Sequence, residues 1–99
     1  MLLANIKHPE QEVSFEQAVK IGLGREQGLF FPRSVQAFEN IDEVLAMPFV
    51  ERSGFILSHL LQGEISVQDA TAMMDIAFQF PAPLVNVAEG LYNLELFHG

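Results

Sequence analysis

The sequence has no cysteine, so disulfide bonds and thiolate chemistry are excluded. Cations are scarce. Lys7, Lys20, Arg25, Arg33 and Arg52 stand against 13 acids, for a formal charge of −8, and no lysine or arginine follows Arg52. Nucleic acid and anionic membranes both need clustered positive side chains, so no nucleic acid and no membrane is expected as a partner. Apolar runs are short, far below the roughly 20 residues of a membrane span. The start, `MLLANIKHPE`, lacks the basic n-region and long apolar stretch of a signal peptide. The N-x-[ST] acceptor is also absent. These absences lead to the expectation of a cytoplasmic protein, with the acidity serving solubility.

Apolar material is plentiful. The 99 residues are 49% hydrophobic and include nine phenylalanines, with a mean hydropathy of +0.24. One domain is expected, spanning 1–99. A chain of this length buries roughly 60–65% of the surface that it exposes when unfolded. So much apolar content implies a core dense in phenylalanine, or apolar surface meant for a partner.

The pattern along the chain is that of a helix-rich α+β domain with about four helices and a few short strands. Leu2 to Ile6 suits a strand broken by His8-Pro9, because the residue before proline avoids the helical region. Ser14 to Gln17, `SFEQ`, is a capping box ahead of a helix that Gly22 or Gly24 ends. `GLFFP`, Gly28 to Pro32, is a short extended segment between punctuating residues. Asn40 with Glu43 opens a helix that stops near Pro48. A further helix runs from Phe49 to Gly63, with Gly54 inside it at a cost of about 1 kcal/mol. Ser66 with Asp69 starts the last helix, which Pro81 terminates. `PAPLVNV` must be extended, Gly90 turns the chain, and Tyr92, Leu94 and Leu96 share one face of a closing strand. The expected core is Phe15, Val19, Phe30, Ile56, Leu60, Met73, Ala77 and Phe78.

Motifs for chemistry are weak. Gly22, Gly24 and Gly28 form G-x-G-x-x-x-G, one residue too long for a dinucleotide fingerprint and placed after a helix instead of a strand. A helix cap and a turn explain them better. His8, His59 and His98 are scattered, with no second histidine one helical turn away. His59 among Leu57, Leu60 and Leu61 reads as a half-buried structural residue. Ser14 and Ser66 are accounted for as caps, and G-x-S-x-G is missing. The pairs Asp42/Glu43 and Glu10/Glu12 read as solvated surface, and Met73-Met74 as core filling.

Three separated stretches nevertheless carry a pattern. Ser14 to Leu23 meets S-F-x-x-A-V-x-x-G-L, Gly28 to Pro32 meets G-L-F-F-P, and Phe78 to Pro83 meets F-x-F-P-A-P. The chain then closes on L-E-L-F-H-G, Leu94 to Gly99. In that order these stretches resemble the N-terminal part of the threonine synthase family, over most of the chain from about Val13. The resemblance implies a parent enzyme, a pyridoxal-phosphate-dependent lyase that makes L-threonine and phosphate from O-phospho-L-homoserine and water. In the family, F-H-G continues as P-T-x-A-F-K-D, whose lysine forms the Schiff base. The resemblance therefore implies that these 99 residues stop short of that lysine and of the glycine-rich phosphate loop. Taken alone they are expected to be inactive, to hold no catalytic, cofactor or metal ligand, and to bind no pyridoxal phosphate. Phe97, His98 and Gly99 match the motif beside the active site and mark its edge. The implied partners are the catalytic domains of the same chain. Self-association through the 81–97 segment or through neighbouring apolar helix faces is expected where those domains are missing. Two other readings stay open: the N-terminal part of a threonine-synthase-like phospholyase, or a stand-alone helical interaction module.

Overall fold

The computed structural model describes residues 1–97. Its architecture is α+β: four helices and five short strands in two small antiparallel sheets. The first sheet has β1 (Leu2–Asn5) at its centre, flanked by β2 (Glu12–Ser14) and β3 (Phe30–Pro32). Leu3 faces Val13 on one side and Pro32 on the other. Leu3, Ala4 and Asn5 are all buried, although neighbouring side chains in a strand point to opposite faces. The central strand is thus covered on both sides. Arg33 reaches across the sheet to Glu12 at 2.8 Å and donates to the Pro9 carbonyl at 2.6 Å.

Helix α1 (Phe15–Ile21) begins where the capping box was expected. The Gln17 amide donates to Ser14 Oγ at 3.2 Å, and the Ser14 amide donates to Gln17 Oε1 at 3.0 Å. Two of the orphan amides of the first turn are thereby satisfied. α2 (Ile41–Ala46) is capped by Asn40, which accepts from the Glu43 amide, and it ends before Pro48.

Helices α3 (Phe49–Leu60) and α4 (Val67–Ala77) form a hairpin through a turn at Gly63. Their contact is built on small side chains. Gly54 and Ser58 of α3 are buried, as are Leu61 just beyond it and Ala70 of α4. A Cβ on Gly54 would lie 2.5 Å from the Thr71 Cα, so the glycine is what lets the two backbones approach. Ser58 Oγ donates to the Ile65 carbonyl at 2.7 Å and ties down the turn. Ser66 Oγ accepts from the Asp69 amide and caps α4.

The core differs from the one expected. Val19 is 66% exposed, Leu60 40% and Met73 49%, and Ala77 is exposed as well. The buried apolar set is instead Leu3, Ala4, Ala18, Val44, Leu61 and Ala70. Helical periodicity identifies an apolar stripe, but α3 comes close to α4 at Gly54, on the edge of that stripe, against the Thr71 backbone. Phe15, Phe30, Ile56 and Phe78 of the expected set are half-buried.

The second sheet is a hairpin of β4 (Leu84–Ala88) and β5 (Leu91–Leu94), with a register shift between Asn86 and Ala88. Gly90 sits in its turn at φ +70°, a conformation that costs glycine little. β5 is shorter than the closing strand expected from the sequence, and Leu96 lies beyond it. The body is elongated, at 48 × 27 × 26 Å. Its radius of gyration is 16.7 Å, against about 13 Å for a compact chain of this length.

Candidate docking surface

The sequence after α4 cannot remain helical. The Phe78 amide makes the last helical bond, to the Met74 carbonyl, and Pro81 and Pro83 then hold the backbone extended. This places Phe78 and Phe80 at the foot of the β4–β5 hairpin. The Phe49 ring packs on Phe78 with centroids 4.9 Å apart, and Phe80 meets Phe78 edge-on at 6.1 Å. With Ala82, Leu94 and Leu96 these rings line an apolar groove of about 620 Å³. The Glu95 amide donates to the Pro83 carbonyl at 3.0 Å, which fixes the groove's hairpin wall. Every residue of β4 and β5 is exposed, on both faces of the sheet. From Ile76 to Phe97 the only charged side chains are Glu89 and Glu95.

The other sequence candidates fall elsewhere. Gly22 caps α1, its amide donating to the Ala18 carbonyl at 2.8 Å. Gly24 and Gly28 back onto the side chain of Asn5, which is only 1% exposed. Asn5 Nδ2 donates to Gln11 Oε1 at 2.7 Å and to the Arg25 carbonyl at 3.1 Å. Its Oδ1 accepts from the Lys7 amide at 2.9 Å. The glycine motif is thus the seat of a buried asparagine and cradles no phosphate. Sequence reasoning missed Asn5, for which the one signal was a polar residue closing an apolar strand just before the His8-Pro9 break.

His59 is half-buried and structural in its contacts. Its ring stacks on Phe38 at 4.3 Å, and its Nε2 lies 3.0 Å from the Gln36 carbonyl. His8 lies 3.3 Å from Glu10 and 3.4 Å from Glu26. The Glu10 carboxyl is held below its ordinary range, first by its own backbone amide and then by His8 and Arg25. Among the described residues, no group of three acidic or histidine side chains is placed to hold a metal ion. Asp42 and Glu43 lie in the first turn of α2, where the helix dipole favours negative charge. Met73 is exposed and Met74 half-buried, so the pair is less a core filling than expected.

Pyridoxal phosphate needs a lysine amine, an anion cradle and a partner for its ring nitrogen. Lys7 Nζ donates to the Glu26 carbonyl at 2.8 Å, and Lys20 pairs with Glu16 one turn earlier on α1. Neither stands beside a cradle of amides, so the described residues do not fit the cofactor by themselves. Phe97 is 82% exposed, while His98 and Gly99 lie outside the described residues. Among the described residues, no helix is long and apolar enough to cross a membrane.

No family model matches the chain. Curated relatives do. The chain is 56% identical over 99 residues to threonine synthase of Haemophilus influenzae, covering 100% of this chain and 23% of that protein. It is 46% identical over 101 residues to threonine synthase of Escherichia coli, covering 24% of it. The crystal structure of the Escherichia coli threonine synthase superposes with a TM-score of 0.92 at 46% identity, over 100% of this chain and 24% of that one. The chain therefore spans about a quarter of the length of the relatives it matches. Its resemblance to the N-terminal part of threonine synthase holds in sequence and in fold across all 99 residues.

Proposed function

We propose that residues 1–99 form the N-terminal domain of a threonine synthase acting in the cytoplasm. The whole protein converts O-phospho-L-homoserine and water to L-threonine and phosphate with pyridoxal phosphate. The observation that carries this reading is the fold match at TM-score 0.92 together with 46% identity over the whole chain. In this proposal the domain supplies no catalytic lysine and no phosphate cradle. Both come from the catalytic domains of the same polypeptide, which also bind the cofactor and the substrate. In this proposal Phe97, His98 and Gly99, which match the motif beside the active site, mark its edge. The surplus of exposed apolar side chains belongs to a domain that is completed by others.

A chimera tests the reading. The 99 residues replace the matching quarter of the Escherichia coli enzyme, and the product is assayed for phosphate release from O-phospho-L-homoserine and for growth of a threonine-requiring strain. Activity and growth are expected. A soluble, cooperatively folded chimera that does neither refutes the proposal. The 99-residue chain alone is expected to release no phosphate. Borohydride reduction in the presence of pyridoxal phosphate is expected to leave no stoichiometric label on Lys7 or Lys20.

A further inference from the structure

Two turns beside the first sheet meet at one histidine. His8 lies in the turn between β1 and β2, where its amide donates to Asn5 Oδ1 at 3.4 Å and its carbonyl accepts from the Gln11 amide at 2.8 Å. So anchored, its ring sits between two carboxylates. Nδ1 lies 3.3 Å from Glu10 Oε1, and Nε2 lies 3.4 Å from Glu26 Oε1 in the turn at 25–27. Nε2 is shut off from solvent and has no hydrogen-bond partner of good geometry, so the Glu26 carboxylate is the group that faces it. A neutral imidazole carries one N–H and one lone pair, whereas the imidazolium carries two N–H groups. In the neutral ring, one nitrogen therefore turns a lone pair toward a carboxylate oxygen. In the charged ring, both nitrogens attract the acid they face.

The turn at 25–27 is one that needs holding. Glu26 and Gln27 have φ of 52° and 61°, in the left-handed region that costs residues other than glycine. Such backbone persists only where its surroundings impose it. Asn5 Nδ2 donates to the Arg25 carbonyl at 3.1 Å, and Gln11 Oε1 accepts from the Arg25 amide at 2.9 Å. Lys7 Nζ donates to the Glu26 carbonyl at 2.8 Å. His8 adds the tie to the Glu26 side chain, and imidazole is the side chain whose charge ordinarily changes between about pH 5 and 8.

We propose that His8 is a proton-operated clasp: charged, it fastens the β1–β2 turn to the strained turn at 25–27, and neutral, it lets that turn open. The charged groups around the ring are Glu10, Glu26, Arg25 and Lys7. Arg25 Nη1 stands 3.5 Å from Glu10 Oε1 and competes with the ring for that acid. Lys7 is engaged with a carbonyl, so among the described residues Glu26 has its ion pair with His8 alone. The clasp therefore works mainly through Glu26. It is closed on the acid side of the imidazole range and released as pH rises through that range. The Glu26 side chain is 73% exposed, which limits the change in opening to about two- to fivefold, the scale of an exposed ion pair. The opening is local to the turn and leaves the β1–β3 ladder paired.

Exchange of the Gln27 and Gly28 amides in the full-length chimera tests the clasp. Both amides are bonded within the turn, to the Gly24 and Arg25 carbonyls at 3.0 Å, and are freed when it opens. Their protection, taken relative to the intrinsic rate at each pH, is expected to fall about two- to fivefold between about pH 5.5 and 8, while that of α4 stays constant. His8→Gln keeps a polar side chain without a titrating charge, and is expected to hold protection at the lower level throughout. Glu26→Gln removes the facing acid and is expected to flatten the profile in the same way, although His8 still titrates. Protection in the unsubstituted chimera that is constant across this range, or that rises with pH, overturns the proposal. A step that survives either substitution belongs to another group and overturns it as well. Threonine formation reports on the proposed function alone, and exchange at Gln27 and Gly28 reports on the clasp alone.

Discussion

Placing a methyl group on Gly28 tests the polar centre of the first sheet. The backbone there is ordinary, at φ −71° and ψ 137°, so alanine meets no conformational penalty. The obstacle is Asn5. A Cβ would lie 1.8 Å from Asn5 Oδ1, 2.6 Å from Cγ and 2.9 Å from Nδ2. The amide must swing away, and its bonds to Gln11, the Arg25 carbonyl and the Lys7 amide go with it. At about 1 kcal/mol for each hydrogen bond, and more where a buried partner is left unsatisfied, the loss is roughly 2–4 kcal/mol. That is a large share of the stability of any single domain. Native-state amide exchange across β1 and β3 in the full-length chimera reads the opening free energy of this sheet directly. A double-mutant cycle isolates the cause. In an Asn5→Ala background the three clashing atoms are gone, and Gly28→Ala is expected to be neutral or to stabilise by about 0.4–1 kcal/mol through the unfolded chain. Equal costs in both backgrounds would refute the argument, because the penalty would then not run through Asn5.

Three further outcomes follow from the packing and charges. Gly54→Val is expected to force α3 and α4 apart, since its Cβ meets the Thr71 backbone at 2.5 and 2.6 Å, and to cost about 1–3 kcal/mol or more by thermal unfolding. Leu61→Ala, at 3% exposure, is expected to cost about 2–5 kcal/mol; Leu60→Ala, at 40% exposure, is expected to cost less than half as much in the 99-residue chain, and the reverse order would restore the original core assignment. Glu10→Gln is expected to narrow the acid-side loss of stability. Because the folded carboxyl lies below its ordinary 4.5, its contribution is fully present above that value and fades as pH falls through the folded one. Wild type and variant should therefore converge in denaturation midpoint below pH 4.5 and keep a constant, small gap above it; a gap that widens toward low pH contradicts the sign.

Local chemistry made much of the chain legible. Ser14 with Gln17, Asn40, and Ser66 with Asp69 announce helix starts, because short polar side chains satisfy amides that the helix leaves open. Pro48, Pro81 and Pro83 announce helix ends, and Gly90 announces a turn, for equally local reasons. The recurring stretches from `SFEQAV` to `LELFHG` were enough to point to a family, and the sequence and fold matches agree with them. Which apolar faces are buried was harder to read. Surplus phenylalanine left a dense core and a partner surface both open, while Met73 and Leu60 were placed in a core that does not contain them.

Sequence by itself determined where elements begin and end, since those choices depend on residues within a turn of one another. Tertiary structure alone decided which faces meet. Gly54 counts as a weak helix residue until Thr71 lies against it, and Asn5 is an ordinary polar residue until Gly24 and Gly28 close over it. Val19, Leu60 and Met73 repeat with helical period just as core residues do, because periodicity records which residues share a face and not what covers that face. Burial depends on what arrives from far along the chain, and no local pattern records it.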